Sequence, residues 1–139
     1  MSIAVMIIFV VVLLLGGCLL FFISMRGGGR STLNVEKYRS QWLAIEQSVE
    51  KNNQSSCQLA ILNADKLLDR ALRERGFRGQ TMGERMKSAQ NSWKNANHVW
   101  TAHKLRNRLA HETDASVSHD ITIRALQAFK QGLRDMGAI

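Results

Sequence analysis

The sequence predicts an all-α protein, in which a single membrane-spanning helix is followed by a compact bundle of four main helices and one short one. Three observations lead there. Residues 3–25, "IAVMIIFVVVLLLGGCLLFFISM", form an uncharged run of 23 residues. No proline occurs anywhere in the 139 residues, so nothing forces a helix to break. Beyond residue 32, apolar side chains recur every three or four positions, the period of a helix with one buried face.

The uncharged run comes first. At about 1.5 Å rise per residue it is long enough for the roughly 30 Å of a bilayer core. A cleaved signal peptide needs a positive n-region and a shorter apolar stretch, and no Lys or Arg precedes this one. "LGGC", ending at Cys18, loosely resembles a lipoprotein cleavage box, but apolar "LLFFISM" follows it where a mature lipoprotein turns polar. The reading is an uncleaved anchor over 1–25 and a Gly-rich linker over 26–32, "RGGGRST", leading to a domain over 33–139. All 19 Lys and Arg and all 11 Asp and Glu follow the anchor. Arg26 and Arg30 flank its C-terminal side, which puts the domain in the cytoplasm and the N-terminus outside a single-pass cell-membrane protein. The two cysteines, Cys18 in the anchor and Cys57 in the domain, cannot pair, as suits a reducing compartment.

The domain then reads helix by helix. Leu33, Tyr38, Trp42, Ile45 and Val49 predict a helix over about 33–52. Ala60, Ile61, Ala64, Leu67, Leu68, Ala71 and Leu72 form the stripe of a second over about 56–75, with Gly76 where a C-terminal cap belongs. "GFRGQ" turns the chain, and "TMGE" has Thr81 and Glu84 at capping-box spacing, so a short helix starts at Met82. A long helix is predicted over about 92–112 and, after the loop "TDASVS", a last one over about 119–136. "VSHDITI" alternates, but it is short and polar, and it reads as a helix start capped by Ser118 or Asp120.

The helix over 92–112 has an unusual surface. On a wheel of about 100° per residue, Val99, Ala102, Leu105, Leu109 and Ala110 form an apolar arc with Arg106 inside it. Trp100, His103, Asn107 and His111 form a second, semi-buried strip beside it, which makes a poor core unless its polar groups face a wet cleft or each other. Such a strip marks a site or the seam of a symmetric homodimer. Within it, "KLRNRLAHE" at 104–112 brings together a guanidinium, an amide and an imidazole, the side chain that exchanges protons near neutral pH. The bland reading pairs Arg106 with Asp65 or Asp69 and leaves His111 at the helix end, where the helix dipole favours it.

"RNRLAH" resembles the Arg-x4–6-His motif of the HEPN superfamily, in which the residue after the arginine is commonly Asn, Asp or His. "ADKLLDRALRERGF" before it and the amphipathic closing helix after it resemble the same family, over about residues 53–136. The resemblance implies an all-α four-helix bundle that dimerises. It also implies a metal-independent endoribonuclease site made of Arg106, Asn107 and His111, or a catalytically inactive relative that binds or scaffolds. In the active form His111 would assist attack by the RNA 2′-hydroxyl, Arg106 would hold the phosphate, and Asn107 would orient either.

Other classes find little support. His98, His103, His111 and His119 come without HExxH, paired cysteines or an acidic cluster, so no metal site is expected and no cofactor is implied. No phosphate loop, nucleophile elbow or kinase signature occurs. Trp93 and Trp100 lie seven apart, a spacing commoner in a core or seam than in a base-stacking surface. The net charge of +8 suits single-stranded RNA and an anionic lipid surface equally, because the cations are spread over every helix. Two functions follow: a membrane-anchored ribonuclease, and a non-catalytic interaction module held at the inner face of the membrane.

Overall fold

The computed structural model describes residues 3–26 and 32–139. The chain divides between residues 30 and 31 into two compact units. Most of the predicted Gly-rich linker falls outside the described residues. Among those described, all regular structure is helical.

The first unit is α1, Ile3–Arg26. It is long and apolar enough to cross a membrane, a property it shares with signal sequences. Its large apolar side chains from Ile3 to Phe21 are exposed.

The second unit is a bundle of α2 (Val35–Gln47), α3 (Gln54–Glu74), α4 (Met82–Ser88), α5 (Ala96–His111) and α6 (His119–Asp135), with a 3-10 turn at Gln90–Ser92. α3 is its centre and packs against each of the other four. Its stripe of Ala60, Ile61, Ala64, Leu68, Ala71 and Leu72 is fully buried, as the periodicity predicts. The α3–α6 approach is close: a Cβ on Gly132 would stand 3.1 Å from Leu68 Cδ2, so only glycine lets the two helices meet there without displacement. Phe129 and Leu133 of α6 fill the rest of that seam.

Caps define the helix ends. Asn34, Asn53, Thr81, Asn95 and Ser118 each accept a hydrogen bond from a backbone N–H of the first turn they precede. Thr81 and Glu84 form the predicted capping box. α3 ends in a Schellman motif: Gly76, at φ 83°, donates to Arg73 O, and Phe77 donates to Leu72 O.

Two helix boundaries differ from expectation. α2 stops at Gln47, because the Ser48 hydroxyl donates to the Ile45 carbonyl and closes the last turn. α5 begins at Ala96 rather than near residue 92. Asn95 caps it, and Trp93 is drawn into the core with its indole N–H donating to Met86 O at 3.0 Å. The α2 face is apolar with charged edges. Lys130 donates to Glu46 at 2.6 Å and lies 5.9 Å from the centre of the Trp42 ring. Burial, reinforced by the Glu74 carboxylate, pushes the Tyr38 hydroxyl up to about 12 despite the Arg70 guanidinium over its ring.

A cationic cleft floored by two aspartates

α3 places two carboxylates one turn apart, Asp65 and Asp69, and each collects cations from other elements. Asp69 receives Arg85 of α4 through two bonds, Nε to Oδ1 at 2.7 Å and NH2 to Oδ2 at 3.0 Å. Arg73 reaches the same Asp69 carboxylate at 2.6 Å from α3 itself. Arg85 also donates to Gly79 O at 2.6 Å, which satisfies a side chain that is 7% exposed.

Asp65 takes its partners from α5. It is 3% exposed and stands in the stripe Ile61, Asp65, Leu68, Leu72, so it needs partners. His103 Nδ1 lies 2.8 Å from its Oδ1, and Arg106 Nε lies 3.1 Å from its Oδ2. The Arg106 Nε contact has ion-pair distance without hydrogen-bond alignment. Asn107 closes the circuit: its Oδ1 accepts from Arg106 NH1 at 3.0 Å, and its Nδ2 lies 3.2 Å from His103 Nε2.

The polarity of this ring follows from its donors. Arg106 only donates, which fixes the Asn107 oxygen toward it and the amide NH2 toward His103. His103 Nε2 then has to accept, so its proton sits on Nδ1 and donates to Asp65. With its proton on Nδ1, the imidazole completes every hydrogen bond of the ring, and Arg106 Nε alone is left to a purely ionic contact.

The ring forms one wall of a cleft of about 740 Å3 between α3, α4 and α5. Arg106, Asn107 and His111 all line it, so one chain brings the three expected residues together. They differ in attachment. Arg106 and Asn107 are half-buried and tied into the ring. His111, the last residue of α5, is exposed and makes no hydrogen bond or ion pair among the described residues.

The second strip on α5 is therefore drier than its residue types imply. His103 is buried, and Trp100 meets it edge-on, with centroids 6.1 Å apart at 76°. His103 and Asn107 pair with each other and with Asp65 and Arg106, so these two need no partner chain to satisfy them. The apolar arc is also narrower than expected, since Ala110 is exposed. Of the two acids open to Arg106, Asp65 takes it and Asp69 takes Arg85. His103 bridges Asp65 and Asn107, a role that its place in the strip does not by itself assign. The available signal was an acid standing within the apolar stripe of α3 opposite a histidine on the apolar edge of α5.

Among the described residues no three His, Cys, Asp or Glu side chains group as metal ligands. Comparison of the chain with family models, curated proteins and solved structures gave no significant match.

Proposed function

We propose that the helical domain is a HEPN-like endoribonuclease that cleaves RNA without a metal ion and is carried on a membrane anchor. One observation carries the reading. Arg106 is braced by Asp65 and Asn107 on the wall of an open cleft that the unattached imidazole of His111 also lines. A guanidinium held before substrate arrives stabilises developing phosphate charge without reorganising. A free imidazole supplies the proton acceptor.

The chemistry assigned to them balances. The His111 imidazole takes the proton of a ribose 2′-hydroxyl. The 2′-oxygen forms a bond to the adjacent phosphorus and the P–O5′ bond breaks. The 5′-oxygen takes a proton from water, and His111 returns its own to solvent. The products are a 2′,3′-cyclic phosphate and a 5′-hydroxyl. Arg106 donates to the non-bridging oxygens, and Asn107 keeps Arg106 in place.

A second reading, a non-catalytic interaction module, draws on the same ion pair, because Asp65 already offsets the Arg106 charge. The full chain in detergent, given single-stranded RNA in the presence of chelator, separates the two. The nuclease reading expects cleavage with cyclic phosphate ends. Intact RNA, or cleavage that chelator abolishes, favours the module.

The membrane part of the proposal rests on α1, on Arg26 that ends it and on Arg30 further along the sequence. A cysteine introduced near Ile139 should resist an impermeant thiol reagent in intact cells, and its labelling would reverse the topology. Pairing of two copies is retained from the resemblance, and sedimentation in detergent measures it.

A further inference from the structure

The cleft holds one large side chain that the proposed chemistry leaves unused. Of the three tryptophans, Trp42 and Trp93 are buried in the core, at 3% and 9% exposure. Trp100 is half-buried and lines the cleft together with Arg106, Asn107 and His111. His103 meets it edge-on, and on α4 the glycine at position 83 leaves room beside its six-membered ring, where even an added Cβ would stand 3.8 Å away. An indole has only two side-chain torsions to fix when a second flat ring stacks on it.

The charge around Trp100 is cationic. Lys66, Arg73, Arg85, Lys104 and Arg106 line the cleft against two carboxylates, Asp65 and Asp69. Those carboxylates are already engaged by His103, Arg106, Arg73 and Arg85. Lys66 and Lys104 are exposed and have no ion-pair partner among the described residues. A volume of about 740 Å3 lies in the usual range for small-ligand sites. The chemical class that joins a flat π-face to a closely spaced anion is the unpaired nucleotide.

We infer that Trp100 is the floor of a nucleobase subsite, on which a base of single-stranded RNA stacks while the neighbouring phosphate lies against Lys104 and Arg106. The inference rests on the nuclease reading and adds its substrate selection: an unpaired base can stack there, whereas a base within a duplex cannot. Stacking contributes about 1–3 kcal/mol per base, and it tolerates any base because each has a π-face.

The test uses the full chain in detergent and anisotropy of a labelled single-stranded oligoadenylate. Trp100→Ala should weaken binding about 5- to 100-fold, the range that stacking energy implies. Trp100→Phe should restore most of it, which a purely structural role for the indole N–H or bulk would not give. An abasic oligomer of equal length should bind the wild type as weakly as oligoadenylate binds Trp100→Ala. Equal binding of the abasic and base-carrying oligomers would overturn the subsite even if RNA is still cleaved. RNA bound through Trp100 but not cleaved would keep the subsite and remove the nuclease. No affinity for any single strand would overturn both and leave the cleft to a protein partner.

Discussion

α3 is held on two sides by opposite means. Toward α6 the contact is dry, with Leu68 against Gly132 and with Phe129 and Leu133 fully enclosed. Toward α5 the same helix offers Asp65, and the contact is a closed ring of charge and hydrogen bonds through His103, Asn107 and Arg106. The first side gains by removing apolar surface from water. On the second side most of the electrostatic attraction is spent on desolvating the ions, so the ring adds little net stability. A protein needing only stability would be served as well by leucines there. The ring earns its place by fixing a guanidinium beside an open cleft.

The comparison breaks most sharply under core substitution. Phe129→Ala should cost about 3–5 kcal/mol in chemical denaturation of the full chain. Asp65→Ala should cost a similar amount, about 3–5 kcal/mol, because it strands a buried histidine and a half-buried arginine. The two losses differ in how they can be repaired. Adding His103→Leu and Arg106→Met to Asp65→Ala should recover most of the stability, since apolar replacement of a buried ionic group is often neutral or better. No recovery would mean that the ring holds the fold for its own sake.

The difference between the two sides also governs what could be read in the sequence. The dry side is periodic. Ala60, Ile61, Ala64, Leu68 and Leu72 disclose it without reference to any other helix, and Gly76 and the Thr81–Glu84 pair disclose the helix ends beside it. The polar side depends on residues 38 positions apart meeting in space, as Asp65 and His103 do. Residue types narrowed Arg106 to two acids, and only the packing of α5 on α3 decides between them. The start of α5 at Ala96 has a local cause: Asn95 captures a first-turn N–H group, and no apolar pattern reveals that.

Smaller changes sharpen the picture. Asp69→Asn should cost about 1–3 kcal/mol, because it leaves the buried Arg85 with weaker acceptors. Glu46→Gln, at the rim of the dry side, should cost less than about 1 kcal/mol, since both Glu46 and Lys130 are partly solvated. Burial opposes ionisation of Glu46, and the Lys130 ammonium, the Trp42 indole and the Arg134 charge together outweigh it, holding the carboxyl below its ordinary value. The pair therefore contributes above the usual carboxylate range and is lost as pH falls through the lowered value, so the cost of Glu46→Gln should fade in acid. Denaturation of both forms at neutral and acid pH checks it.

The most direct measurement is single-turnover cleavage of a labelled single-stranded RNA by the full chain in detergent with chelator present, comparing His111→Ala, Arg106→Ala and, as an exposed cation outside the cleft, Lys51→Ala. The account predicts that His111→Ala abolishes cleavage with the fold intact, that Arg106→Ala slows it by at least about 10²-fold, as the loss of one charge-stabilising donor does, and that Lys51→Ala changes it far less. Cleavage at the wild-type rate by His111→Ala would contradict it.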